Sequence, residues 1–139
     1  LNLSSAAQAP VSPAALAGRQ ALADFPAYAQ SKLAITMWSA HMAAALGPAG
    51  PVVVAINPGS MLGTKMVKDA FGVSGKSVGI GADILIRAAL SPEFDGATGR
   101  YFDNDSGRFG PPHPDARDAR KCAAITRAVE EMLDLPPLG

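Results

Sequence analysis

Hydrophobic and polar positions along the chain switch between two periods. Leu1-Asn2-Leu3-Ser4-Ser5 alternates apolar with polar and then breaks into small residues, as the end of a strand does. Residues 6–27 form a loose stretch rich in Ala and Pro; Ser12 before Pro13 offers an N-cap and first helical position, which predicts a short helix over 13–21. A longer helical pattern opens at Pro26 and runs to Leu46. Leu33, Met37, Ala40 and Ala44 recur at spacings of three and four, and Gly47-Pro48 stops it. Val52-Val53-Val54-Ala55-Ile56, bounded by Pro51 and Pro58, is a continuous run of the kind that forms a strand buried on both faces of a parallel sheet.

Beyond it, residues 59–79 mix glycine, lysine and apolar side chains without a firm period, with a short helix predicted over 65–71. A clearer helix follows over 77–90, with Ile80, Ile84 and Ala88 along one stripe. Tyr101-Phe102 reads as a short strand running into the turn-forming Asp103-Asn104-Asp105-Ser106-Gly107. An amphipathic helix over 115–133, with Ile125, Val129, Met132 and Leu133 inward, closes the pattern. Strand, helix, strand, helix, strand, helix implies parallel crossovers in a sheet covered on both faces. Two or three such strands leave open backbone edges. Leu1 also reads as mid-strand rather than as the lead-in after an initiator methionine. The expectation is therefore a parallel α/β sheet covered on both faces, of which residues 1–139 are the C-terminal part, its N-terminal half lying outside this chain.

Composition narrows the classes. The chain has 139 residues, 48% of them hydrophobic, enough for a packed core. Twelve basic residues balance twelve acidic ones, and the basic ones are scattered, which excludes a concentrated face for nucleic acid or an anionic membrane. Cys122 is the only cysteine, so there is no internal disulfide and no cysteine-based zinc site. A cytoplasmic setting is expected.

Candidate chemistry lies near the start of the long helix, in Tyr28-Ala29-Gln30-Ser31-Lys32. The i, i+4 spacing puts phenol and ammonium on one face about a turn apart. A nearby ammonium favours a phenolate and lowers a tyrosine pKa from its reference of about 10, which suits a general acid or base near neutral pH. Ser4-Ser5 ends one strand and Asn57-Pro58-Gly59-Ser60 ends another. Both fall at the carboxyl edge, where open α/β sheets bind ligands. Gly59 lets backbone approach a flat ligand closely.

Taken in order, Asn2-Leu3-Ser4-Ser5, Tyr28-Ala29-Gln30-Ser31-Lys32-Leu33-Ala34 and Asn57-Pro58-Gly59 closely resemble the second-half signature of the short-chain dehydrogenases/reductases. The Tyr-x-x-Ser-Lys-Leu-Ala form is most similar to the retinol-dehydrogenase-like, broad-specificity members. The resemblance makes the expected sheet a Rossmann-like, doubly wound fold. It implies an NAD- or NADP-dependent oxidoreductase acting on an alcohol or carbonyl, with Ser5, Tyr28 and Lys32 as the catalytic set. Tyr28 would exchange a proton with the substrate oxygen. Lys32 would assist it and hold the nicotinamide ribose, and Ser5, in preference to Ser4, would orient the substrate. Pro58, Gly59, Ser60 and Met61 would line the nicotinamide. Thr64 would contact the cofactor, with Ser60 as its rival.

Residues 63–76 would form a substrate lid, and Met61, Leu62, Met66, Val67 and Phe71 imply an apolar or mixed pocket. The helix over 26–46, with small residues Ala40, Ala43 and Ala44, would carry a homo-oligomer interface. The glycine-rich phosphate turn that follows the first strand of the fold, and the residue that selects NAD or NADP, do not occur in this region. The chain by itself is therefore expected to have little or no activity. Two alternatives share these residues. One is a nucleotide-sugar epimerase or dehydratase of the same fold, disfavoured because only about 80 residues follow Asn57. The other is a non-catalytic docking product.

Other signals are set aside. The run 103–107 matches the opening of a calcium loop, but Pro114 stands where the bidentate glutamate belongs. His41 and His113 lack partners at metal spacing. Trp38 has no basic groove beside it, and Cys122 reads as a small buried residue.

Overall fold

A computed structural model describes residues 1–138. Four strands form one sheet in the order β1 (Asn2–Leu3), β2 (Ala55–Asn57), β3 (Tyr101–Asp103), β4 (Arg108–Gly110). The first three are parallel, and β4 turns back antiparallel on β3. Five α-helices accompany the sheet among the described residues: α1 (Pro13–Leu16), α2 (Asp24–Leu46), α3 (Lys65–Phe71), α4 (Gly79–Leu90) and α5 (Ala119–Leu133). This α/β arrangement is compatible with a Rossmann-like fold, but the sheet is mixed where the pattern predicted only parallel strands.

The strand missed by the pattern, Arg108-Phe109-Gly110, is three residues long and ends in glycine, too short for a period to register. It forms because the turn at 104–107 closes a hairpin, with Gly107 at φ 69°. The strand predicted over 52–56 is shifted to Ala55–Asn57. Val53 and Val54, which lead into it, are buried and bonded through Val54 O to Asn2 N at 2.9 Å and through Val53 O to Gly99 N at 2.7 Å. Val52 is exposed, next to a proline that cannot donate to a ladder.

Helix α2 begins two residues before Pro26, at Asp24. Pro26 is tolerated there because first-turn amides have no intrahelical acceptor, and Asp24 complements the positive end of the helix dipole. Leu33 and Met37 are buried as predicted, and Ala43 rather than Ala44 continues the stripe. With Ala116, Cys122 and Ile125, Leu33 and Met37 form the core between α2 and α5. The second core lies between the sheet and α4, where Val54, Ile56, Phe102, Ile84, Ala88, Phe94 and Ala97 pack together. Ile80, expected on the α4 stripe, is exposed at its first turn.

The last helix departs most from expectation. A 3₁₀ turn (Pro114–Arg117) precedes it, and Asp118 caps α5 by accepting from Arg120 N at 2.9 Å and Lys121 N at 3.2 Å. Its inward residues are Cys122, Ile125, Thr126 and Glu130. Met132 and Leu133, in the last turn of the helix, are exposed and Val129 is half-buried, while Glu130 takes an inward position. No helix among the described residues is long and apolar enough to cross a membrane.

Candidate active site

Three carboxyl-edge segments follow the parallel strands β1, β2 and β3; the first is tied to the start of α2 and the other two to each other. After β1, Ser4 and Ser5 separate by the alternation of a strand end. Ser4 is buried, with its Oγ 2.7 Å from Thr36 Oγ1 and donating to Lys32 O at 3.2 Å. Ser5 is half-buried; its Oγ accepts from Ala7 N at 3.1 Å, which leaves its own proton to give. The Ser5 carbonyl is held from two sides, by Gln8 Nε2 at 2.8 Å and by the Tyr101 hydroxyl at 3.1 Å.

One turn apart on α2, Tyr28 and Lys32 lie as their spacing predicts, with Lys32 Nζ 5.6 Å from the Tyr28 ring centroid. Lys32 Nζ also donates to Leu3 O at 3.0 Å, which ties α2 to the strand that carries Ser5. Both side chains are half-buried. The Tyr28 hydroxyl makes no hydrogen bond among the described residues, and the Lys32 ammonium spends one of its three donors on Leu3.

The Asn57–Ser60 turn is held by a network that the sequence reading overlooked. Asn57, only 1% exposed, accepts from Gly59 N at 3.2 Å and donates through Nδ2 to Asp103 at 2.8 Å and Asp105 at 2.9 Å. Asp105 accepts from Ser60 N at 2.9 Å and from the Ser60 hydroxyl. Asn104 donates to Pro58 O at 2.9 Å. Burial works against the Asp105 charge, but the Ser60 and Asn57 hydrogen bonds and the Lys76 ammonium outweigh it and hold the carboxyl below the usual carboxylate range. The residues set aside as an incomplete calcium loop thus spend their carboxylates on the turn. Their signal would have been the register of β2 against β3, which places Asp103 opposite Asn57.

The other predicted contacts fall around this turn. Gly59 has φ 132°, a conformation for glycine, and a Cβ there would meet Leu62 at 3.4 Å. Met61 has φ 57°, and its carbonyl accepts from Lys76 N at 2.7 Å. The amide of Gly63 donates to Lys76 O at 2.6 Å. A Cβ on Gly63 would lie 2.5 Å from Ser74 O, and one on Gly75 2.7 Å from Met61 O. The predicted lid is therefore a loop with a closed neck. Thr64 stands beyond the neck as the N-cap of α3, accepting from Val67 N at 3.3 Å. Of the apolar residues predicted there, Val67 is buried while Met61, Met66 and Phe71 are exposed.

Comparison with known proteins then bears on the site. Residues 11–73 match the family model described as short chain dehydrogenase. The match supports that family and, through it, an oxidoreductase. It takes in Tyr28, Lys32, Pro58, Gly59, Ser60, Met61 and Thr64 and leaves Ser5 outside. No curated protein and no solved structure matches the chain.

The nicotinamide-ribose end of a dinucleotide needs hydroxyl-facing donors and a backbone ledge. The unbonded Tyr28 hydroxyl and the remaining Lys32 donors fit the hydroxyls of this end, whereas the position of a Cβ on Gly59 is covered by Leu62 at 3.4 Å and Ile80 at 3.8 Å.

Tyr101 gives a test of how the site edge is held. Burial above all, with the charges of Asp103 and Asp105, pushes its phenol up to about 12, while the Gln8 hydrogen bond opposes the shift. The folded value lies above the free value of 10.0, so its stabilising contribution is complete below that pH and is lost as pH rises through the folded value. Tyr101→Phe should cost roughly 0.5–1.5 kcal/mol at neutral pH through the lost bond to Ser5. It should also flatten the alkaline loss of stability. Urea unfolding near neutral pH and at about pH 11 measures both effects.

Proposed function

We propose that the chain is the catalytic, second half of a short-chain dehydrogenase/reductase that interconverts an alcohol and a carbonyl with NAD or NADP. The observation that carries the reading is the placement of Lys32 Nζ, 5.6 Å from the Tyr28 ring centroid and 3.0 Å from Leu3 O, beside the strand end that presents Ser5. The epimerase and docking alternatives have no comparable support, since the matching family is a dehydrogenase family.

In this reading Tyr28 gives its proton to the substrate oxygen on reduction and takes it back on oxidation. Ser5 donates to the same oxygen and fixes its direction, a role its accepting bond from Ala7 leaves open. Lys32 stabilises charge developing on the Tyr28 oxygen and donates to ribose hydroxyls. Pro58, Gly59, Ser60 and Met61 line the nicotinamide, and Thr64 approaches it only if the neck at residues 61–63 moves, since it now caps α3. The cofactor, when bound, supplies or accepts the hydride.

The substrate lid is residues 63–76. The Tyr-x-x-Ser-Lys-Leu-Ala form supports a retinol-dehydrogenase-like member. Self-association through α2 would use its outer side, where Phe25 and Leu46 are exposed, since Ala43 is turned inward. A buried single cysteine accords with a cytoplasmic setting.

The test is a fluorescence titration of the full-length polypeptide with NADH and NADPH, followed by a panel of aldehydes and ketones. Binding of one cofactor and its carbonyl-dependent oxidation are expected. Lys32→Met should weaken cofactor binding by about 10- to 100-fold, the loss of one or two charge-assisted hydrogen bonds. Failure to bind either cofactor would sink the proposal.

A further inference from the structure

The hairpin turn between β3 and β4 lies outside the Tyr28–Lys32 pair, yet it reaches every segment expected to line the nicotinamide. We propose that Asp105 is a positioning residue that fastens the Pro58-Gly59-Ser60 turn and the neck of the 63–76 lid into the conformation presented to the cofactor. This rests on the reading of the site given above.

The hairpin is a fixed base. β3 pairs with the buried β2 in register, Ala55 to Tyr101 and Asn57 to Asp103, so the turn cannot slide against the strand that ends in the site. Asp105 is set within the turn by its own amide, which donates to Asp103 Oδ1 at 3.2 Å, while Asn104 N donates to Asn57 O at 3.0 Å.

From this base one carboxylate reaches three parts of the site. It takes both donors of Ser60, amide and hydroxyl. It takes Asn57 Nδ2, and Asn57 Oδ1 in turn orients Gly59 N. It lies 3.9 Å from Lys76 Nζ, and the Lys76 backbone closes the neck against Met61 and Gly63. Its neighbour Asn104 holds Pro58 O at 2.9 Å and Ile80 O, at the start of α4, at 3.4 Å.

The turn needs such a fastening because its backbone is not self-supporting. Met61 holds a left-handed φ of 57°, which a side chain other than glycine or asparagine resists. Gly59, at φ 132°, has the widest conformational choice of any residue type. Remove the acceptor, and Ser60, which lies between these two residues, loses the partner of both its amide and its hydroxyl, leaving Gly59 N on Asn57 and Met61 O on Lys76 N as the remaining restraints. Asp105 belongs to neither hydrophobic core, so its loss should act on the turn and neck rather than on the whole fold.

Asp105→Ala and Asp105→Asn in the full-length polypeptide test this, with amide hydrogen exchange read by mass spectrometry and cofactor affinity read by NADH and NADPH titration. Asp105→Ala should speed exchange in residues 58–76 by about tenfold or more, with residues 33–43 and 84–88 unchanged. It should raise the cofactor Kd and KM by about 10- to 100-fold and alter kcat far less. Asp105→Asn, which keeps an acceptor oxygen, should recover part of both. Exchange unchanged in 58–76, or accelerated equally in the cores, would overturn the proposal, as would local loosening with unaltered affinity. If the unmodified protein binds neither cofactor, the reading of the site falls. The exchange data alone then decide whether Asp105 fastens the turn: local acceleration upholds that part, and its absence removes it.

Discussion

Replacing Phe102 with alanine is expected to destabilise the protein by about 3–5 kcal/mol, the range for emptying a fully buried aromatic site. Phe102 has no solvent exposure and is the largest of the fully buried side chains. Its ring centroid lies 5.1 Å from both Phe94 and Phe109, edge-on to the latter, and the Arg87 guanidinium stands 5.4 Å away. Three different elements supply those neighbours, so the hole cannot close by the shift of one. Set against the total of about 5–15 kcal/mol usual for a domain, the loss leaves little margin. The same pairing of β3 with β4 carries Asp105, so the site edge would loosen with the core. Urea unfolding measures the effect as a lower midpoint at constant m. A change below about 1 kcal/mol would mean that the three rings are not packed together as described.

What the sequence made legible was what short-range pattern controls. The α3 span came out as 65–71 because Thr64 caps it and Gly72 ends it. The buried face of α2 followed from Leu33 and Met37, since a long apolar period on a helix has one way to be satisfied. The sheet's last strand was not legible: Arg108-Phe109-Gly110 becomes a strand only because the turn folds it onto β3 and Phe109 finds Phe94 and Phe102. Met132 and Leu133 were expected inward on the amphipathic pattern, but α5 directs Glu130 inward, where its carboxylate accepts from Leu138 N at 2.9 Å.

The candidate site divides in the same way. Tyr28 and Lys32 are neighbours by helical spacing alone and could be paired from the sequence. The separation of Ser4 from Ser5 could be read only as a preference, because it depends on which of the two meets Thr36 on α2. The Asn57–Asp105 network joins residues 48 positions apart. Its existence depends on a parallel register that no local period encodes, and for that reason an acidic turn looked like a surface feature.

Tyr28→Phe is the sharpest test of the chemistry, with an expected fall in turnover of about 10²- to 10⁴-fold, the usual contribution of a positioned acid or base. The substitution removes one oxygen and keeps the ring against which Lys32 rests. Because the Tyr28 hydroxyl makes no hydrogen bond among the described residues, no buried partner is orphaned and unfolding should be unchanged. Cofactor affinity should hold within about threefold, since Lys32 remains, so the loss should fall on kcat. Steady-state kinetics and a cofactor titration on the same preparation separate these quantities. Near-normal turnover would remove Tyr28 as the proton donor, and the chain has only two tyrosines. The other, Tyr101, is a poor substitute: its hydroxyl is committed to the Ser5 carbonyl at 3.1 Å, and burial first of all raises its pKa to about 12. A phenol so placed holds its proton through the whole physiological range. Activity surviving in Tyr28→Phe would therefore point to a donor that is not a tyrosine, with Ser5 the first to replace by alanine.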